Sequence, residues 1–289
     1  MAENRDDIPG WRSLADKLSQ RTSDMAKKIL KKLLSKWYFR CLCYILILVS
    51  LSGVVTIMNL DRLLFPTPPP TPVSGNCQLN AGAAVLDALW LEGQKDHPVI
   101  LYSHGNYETL QDMRSLCYEF RLQGYSVLAY DYAGYGASTG KPSEKQAYLD
   151  IEAAYDYLLR EKGVSPENII AVGYSVGTGP SCHLAAKHDI KALVLCAPFA
   201  SAIRVALPFS LPGDKFKNVD KLSSKEIPVL MFHGKKDEII PYRNAKLLYK
   251  KALGPKRLVT IADAGHNNLF DHLGDQFWSE IAKFLEEMD

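Results

Sequence analysis

A single α/β domain on a mostly parallel sheet, preceded by one membrane-spanning helix, is predicted by three observations. Short runs rich in β-branched and aromatic residues alternate with helical stretches through the second two-thirds of the chain. Most of these runs are apolar without interruption, as strands covered on both faces are. Residues 41–60 contain no charged side chain.

The strand-like runs are VILYS (99–103), SVLAYD (126–131), IIAVG (169–173), KALVLC (191–196), PVLMFH (228–233) and RLVTI (257–261). Helical patterns lie between them. Ser143 and Gln146 form a capping box behind Pro142, and Ala147, Ile151, Ala154, Tyr155 and Leu158 follow on one face. Near the C-terminus Phe277, Ile281, Phe284, Leu285 and Met288 repeat that spacing. This order of elements predicts helices on both faces of the sheet. Between Pro198 and Pro228 the periodicity is weak, which leaves room for a minimal cap with one or two short helices near Ile203 to Leu211.

The N-terminal region is different in kind. Residues 1–41 carry ten Lys/Arg against five Asp/Glu, and Lys27, Lys28, Lys31, Lys32, Lys36 and Arg40 form a stretch free of acids. The uncharged run CLCYILILVSLSGVVTIMNL (41–60) follows, and as a helix it would span roughly 30 Å of hydrocarbon. It is apolar around its whole circumference, and forty residues precede it, so a signal anchor is expected rather than a cleaved leader or a core helix. Basic residues stay inside, which predicts a cytoplasmic N-terminus and a folded domain across the membrane. Trp11, Leu14, Leu18, Ile29 and Leu33 also suit a basic amphipathic helix on an anionic lipid surface. FPTPPPTP (65–72) reads as an extended spacer. The expected organisation is a basic segment (1–40), a transmembrane helix (41–60), a proline-rich linker (61–74) and a folded domain (75–289).

With 34 basic and 32 acidic residues among 289, there is no general electrostatic reason to bind nucleic acid. The six cysteines are too few and too scattered for a disulfide framework. Cys41 and Cys43 would be lipidation candidates if they faced the cytosol. No HxH, HExxH or Cys/His cluster occurs, so neither a metal nor another cofactor is expected.

The strongest local signal is Gly173-Tyr174-Ser175-Val176-Gly177, between a predicted strand and a predicted helix (179–187). A tight strand-to-helix turn there needs small flanking residues and projects the Ser175 hydroxyl above the sheet. A serine nucleophile needs a base and the base an orienting acid. Asp237 in HGKKDEIIP and His266 in DAGHNN each follow a strand end by a few residues, where loops converge at the carboxyl edge of the sheet. Glu238 is the competing acid, one position off register, and Asp263 is expected to shape the turn before His266. Developing negative charge on a substrate oxygen calls for backbone donors, assigned by position to Val176 N–H and Asn106 N–H, with Tyr107 adjacent. His104 and His233 sit in His-Gly pairs and are expected to hold loops. His97, His183, His188 and His272 are assigned surface or core roles.

LYSHGN (101–106), AYDYAGYGASTGKPSE (129–144), ENIIAVGYSVGTGP (167–180), HGKKDEIIP (233–241) and AGHNN (264–268) together resemble the α/β-hydrolase superfamily. Within it they are most similar to the membrane-associated protein depalmitoylases of the domain-containing-seventeen type. Bem46-like hydrolases and membrane-anchored lysophospholipid and monoacylglycerol lipases share much of the pattern. The resemblance implies an α/β-hydrolase fold, Ser175 as nucleophile, Asp237 as acid and His266 as base, with Asp131, Tyr132, Gly134, Gly136 and Ser138 holding a loop. The implied substrates are acylated proteins or lipid esters. One departure is that cytosolic depalmitoylases of this type attach through a lipidated cysteine-rich N-terminus, where this chain has an apolar run. A serine peptidase of aminopeptidase type and a noncatalytic membrane scaffold are the competing functions. Dehalogenation or epoxide opening would want an aspartate at Ser175.

Overall fold

The computed structural model describes residues 11–58, 60–69 and 75–288. The chain forms two compact units, Met1–Ile57 and Met58–Asp289.

The first unit is built on one helix, α1 (Trp11–Met58). Lys27, Lys28, Lys31, Lys32, Lys36 and Arg40 are exposed on it. The expected membrane span falls mostly on residues 45–52 and 54–59, whose side chains lie outside those described. Among the described residues no helix is long and apolar enough to cross a membrane.

The second unit is organised by an eight-stranded sheet of order β1-β2-β4-β3-β5-β6-β7-β8. Its strands are β1 (Cys77–Ala81), β2 (Ala84–Leu91), β3 (Val99–Ser103), β4 (Ser126–Tyr130), β5 (Ile169–Tyr174), β6 (Ala192–Cys196), β7 (Val229–Gly234) and β8 (Lys256–Ile261). From β4 to β8 every neighbouring pair is parallel, while β2 is antiparallel to both β1 and β4. The helices are α2 (Leu60–Leu64), α3 (Leu110–Leu122), α4 (Glu144–Arg160), α5 (Thr178–Lys187), α6 (Ala202–Ala206), α7 (Asn218–Leu222), α8 (Arg243–Lys251), α9 (Leu269–Leu273) and α10 (Asp275–Glu286).

The uninterrupted apolar runs are explained by two cores. Val99, Leu101, Ile169, Ala171, Leu193, Leu195, Val229 and Met231 point to one side, where they meet Ala147, Ile151 and Leu158 of α4, Leu184 of α5 and Leu248 of α8. Ile100, Tyr102, Ile170, Val172, Val194, Leu230 and Phe232 point to the other, against Phe120 of α3 and Phe277, Ile281 and Phe284 of α10. Strand side chains alternate faces, so a strand packed on both must be apolar at every position. Each such large side chain contributes about 1.5–3 kcal/mol on burial.

The β1–β2 hairpin departs from the expected strand set. β1 alternates exposed and buried residues, and β2 carries Asp87 among its buried positions. Asp87 is tolerated because Gly75 N–H donates to its Oδ2 at 2.7 Å. The N-terminus of α4 is capped by Ser143 Oγ, which accepts from Gln146 N–H at 3.1 Å. The expected reciprocal half of that box, Gln146 Oε1 accepting from Ser143 N–H, is not among the described hydrogen bonds; Gln146 Nε2 donates to Ala81 O and Asp150 Oδ1.

The proline-rich linker is also corrected. Phe65 is 3% exposed and packs edge-on to Tyr132 and Tyr135 and tilted against Phe216. Pro68 is buried as well. An aromatic ring at this position has a core to enter, so the segment folds onto the domain instead of spacing it. Residues 70–74 of the expected spacer lie outside the described residues.

Candidate active site

β5 delivers Ser175 to the carboxyl edge of the sheet. Tyr174 is the last strand residue, and Ser175 turns sharply at φ 53° into the 3-10 turn Ser175–Gly177 that leads to α5. A non-glycine residue in this left-handed region costs on the order of 1–3 kcal/mol and persists only where its surroundings enforce it. Close backbone approach does so here. A Cβ on Gly173 would stand 2.5 Å from Gly177 O, and one on Gly177 would stand 2.0 Å from Ser103 O. Thr178 Oγ1–H donates to Ser175 O at 2.7 Å and ties the turn to the helix behind it.

Loops after β7 and β8 bring the other two residues to it. His266 Nδ1 lies 2.8 Å from Asp237 Oδ2, and His266 Nε2 lies 3.0 Å from Ser175 Oγ. A carboxylate only accepts, so Nδ1 carries the ring proton and Nε2 is left to accept from the serine hydroxyl. Asp237 Oδ1 accepts two further hydrogen bonds, from Ile239 N–H at 3.0 Å and Ile240 N–H at 2.7 Å. Burial pushes the Asp237 carboxyl up, but the His266 ring and the Ile240 N–H outweigh it and hold its pKa below the ordinary value. Ser175, Asp237 and His266 are 7%, 6% and 4% exposed, so the relay is shielded from bulk water.

Each loop is held by its own contacts. Tyr174 stacks on the His266 ring and its OH donates to His266 O at 3.0 Å. Gly265 N–H donates to Asn268 Oδ1 at 2.7 Å, which sets the turn before the histidine. Asp263, expected to shape that turn, is instead exposed and paired with Lys236; the nearer Asn268 amide does the work. Glu238, the competing acid, reaches only the backbone N–H of His266 at 3.4 Å. His233 Nε2–H donates to Ile240 O at 2.8 Å and pins the Asp237 loop.

Around Asn106 the loop is fastened three ways. His104 Nδ1–H donates to Gly105 O at 2.7 Å, Tyr132 OH donates to His104 O at 2.7 Å, and Gly105 N–H donates to Glu108 Oε2 at 2.6 Å. Burial raises the Glu108 pKa. Asp131 supports the next helix by accepting from Leu110 N–H at 2.8 Å, and its carbonyl accepts from Ser138 Oγ–H. The remaining histidines stand away from Ser175. His183 and His188 face Glu152, His97 lies edge-on to Tyr125, and His272 is exposed.

Ser175, Val176 and Asn106 share a cavity of about 270 Å³ with Leu60, Leu63, Leu64, Phe199, Ala202, Val205, Ala206, Ile239 and Ile240. Its walls are apolar apart from Ser175 and Asn106. Another concavity, about 530 Å³ and lined by Trp90, Lys95, His97 and Lys162 among others, includes none of the three relay residues. Among the described residues no group of three His, Cys, Asp or Glu side chains is placed to hold a metal ion. The cavity walls from α2 and from Ile239 and Ile240 were not legible as site residues. Leu60, Leu63 and Leu64 do carry the i, i+3, i+4 spacing of a helix face, ahead of Pro66, and that signal could have found them.

Residues 94–213 match the family model described as serine aminopeptidase, S33. Human alpha/beta hydrolase domain-containing protein 17B is 38% identical over 192 residues, covering 65% of this chain and 66% of that protein. This chain belongs to the α/β-hydrolase superfamily. Mouse alpha/beta hydrolase domain-containing protein 17C is 37% identical to this α/β-hydrolase over 190 residues, 64% of this chain and 59% of the relative. The matches therefore span somewhat less than two thirds of these curated relatives. Among solved structures, the Pyrococcus furiosus esterase Pf2001 superposes with a TM-score of 0.65 at 18% identity, covering 77% of this chain and 100% of that one. Est1E from Butyrivibrio proteoclasticus, bound to ferulic acid, gives 0.61 at 21% identity, covering 74% and 99%. At these identities the two structures share the fold of this chain.

Proposed function

We propose that this α/β-hydrolase is a serine hydrolase that cleaves acyl esters or thioesters through an acyl-enzyme. The observation that carries the reading is the Ser175–His266–Asp237 relay, at 3.0 Å and 2.8 Å, opening into an apolar cavity. His266 Nε2 takes the Ser175 proton as Oγ attacks the substrate carbonyl, and Asp237 steadies the imidazolium. The carbonyl oxygen becomes an oxyanion, which Val176 N–H and Asn106 N–H stabilise at the cavity wall. The tetrahedral intermediate collapses as its C–O or C–S bond breaks, and the leaving alcohol or thiol takes the proton from His266. Water, deprotonated by His266, then attacks the acyl-serine and releases the acid with Ser175 restored.

The apolar walls favour an acyl chain over a peptide. An aminopeptidase needs a carboxylate to hold the substrate amine, and no acidic side chain lines this cavity. Palmitoylated protein is the leading substrate class, supported by the similarity to the domain-containing-seventeen relatives; monoacylglycerol or lysophospholipid is the second. The charge-free run 41–60 anchors the protein in this reading, with the basic residues before it on the cytoplasmic side. If the hydrolase unit lies across the membrane from them, its substrates are lipid esters or secreted acyl-proteins.

Turnover of a palmitoyl-thioester peptide and of monoacylglycerol, measured side by side on purified protein, separates the two substrate classes. Ser175→Ala should abolish both. Retention of wild-type hydrolysis by folded Ser175→Ala protein would overturn the nucleophile assignment. Protease accessibility in sealed vesicles tests the orientation.

A further inference from the structure

The segment just before the first strand takes part in the site. α2 contributes Leu60, Leu63 and Leu64 to the cavity that holds Ser175, facing Val205 and Ala206 of α6 and Ile239 and Ile240. Three contacts latch it to the domain. Asp61 Oδ1 accepts from Glu144 N–H at 3.0 Å, Lys215 Nζ pairs with Asp61 Oδ2 at 2.5 Å, and Tyr135 OH donates to Pro66 O at 2.9 Å. Phe65 is wedged among Tyr132, Tyr135 and Phe216 immediately behind. The same Glu144 accepts from Phe216 N–H, so the latch joins α2, α4 and the cap segment through one carboxylate on each side.

We propose that α2 is the wall of an acyl-chain site, with Leu63 and Leu64 setting the preference for long unbranched chains. This rests on the acyl-hydrolase reading of Ser175. A cavity of about 270 Å³ falls just below the roughly 300–1,000 Å³ range of ligand pockets, so a long chain continues past its mouth. Leu63 and Ile239, 61% and 48% exposed, stand on that path. Two exposed aliphatic side chains beside a reactive serine suit a hydrocarbon tail, because contact removes apolar surface from water on both partners. Isolated helices of five residues do not persist in water, so α2 depends on such contacts for its position, and the Asp61 bonds are the ones made by the helix itself.

The test compares the full chain with Leu63→Trp and Asp61→Ala, using p-nitrophenyl butyrate and palmitate. Leu63→Trp places its bulk in the chain path at an exposed position, so folding is spared. The palmitate-to-butyrate ratio of kcat/KM should fall by about tenfold or more, the scale on which apolar pockets discriminate by chain contacts. Asp61→Ala should lower the ratio in the same direction. In parallel, displacement of a fluorescent fatty acid by palmitate is measured on Ser175→Ala protein with and without Leu63→Trp, and palmitate should bind more weakly to the double variant. An unchanged ratio together with unchanged palmitate binding overturns the wall. Leu63-dependent palmitate binding by a protein that hydrolyses neither ester sustains the wall and sinks the acyl-hydrolase reading instead.

Discussion

Ser175 reacts only if its neighbours hold it in a backbone conformation that it would not choose. Gly177 is the tightest of these neighbours, with Ser103 O standing where a Cβ would be. Gly177→Ala is therefore expected to force β3 and β5 apart at the site and to cost at least about 1–3 kcal/mol as overpacking. A Tm that falls together with esterase activity would bear this out, and an unchanged Tm would refute it. Asp237 acts at a different point. In Asp237→Asn the side-chain amide can donate to the ring as well as accept, which favours the wrong tautomer of His266. The expected loss in kcat is about 10⁴-fold with the fold intact, by analogy with other serine triads. Matching circular dichroism with a fall of less than tenfold would mean that the ring is oriented by other contacts, the Tyr174 stack foremost.

At the scale of elements, α4 and α5 are joined across one face of the sheet by a single acidic side chain. Glu152 on α4 meets His183, Lys187 and His188, all on or at the end of α5. Burial raises its pKa, but hydrogen bonds from these three groups outweigh that and bring it from 4.5 down to about 2. A depressed carboxylate contributes stability that is fully present above its unfolded value and lost as pH falls through the folded one. The contribution of Glu152 is thus complete above 4.5 and fades between there and about 2. After solvent screening it amounts to about 1 kcal/mol. Glu152→Gln should lower Tm by about 2–4 °C at neutral pH, with the gap to wild type closing in acid; a constant gap across the titration would count against it. This bridge was not legible in the sequence, because its members lie thirty or more positions apart and carry no motif. The strands were legible where both faces are buried, as in VILYS and SVLAY, for which composition alone is informative. β1 was missed because an edge strand with one wet face admits Asn80, and β2 because the buried Asp87, satisfied by Gly75 N–H, interrupts its apolar run; the Gly82 turn between them was the clear mark.

For the molecule as a whole, the boundary of the folded unit is the point on which sequence and structure diverge most. Three prolines in succession read as a spacer, and nothing in local composition tells a spacer from a strap that docks, since the partners Tyr132, Tyr135 and Phe216 are supplied from distant parts of the chain. The triad was legible because its chemistry restricts residue type and its positions follow strand ends; the cavity wall was not, because any aliphatic side chain serves. This difference makes a direct prediction. A chain beginning at Met58 retains α2, the Asp61 latch and Phe65, whereas one beginning at Gly75 loses all three and leaves a hole among the tyrosines. Removing a buried phenylalanine alone costs about 3–5 kcal/mol. The longer version should unfold cooperatively and hydrolyse soluble esters as the full chain does, while the shorter one should melt about 6–20 °C lower or fail to accumulate, given about 2–4 °C per kcal/mol for a domain of this size. Equal melting temperatures for the two would restore the boundary at residue 75 and reduce residues 60–69 to a tether.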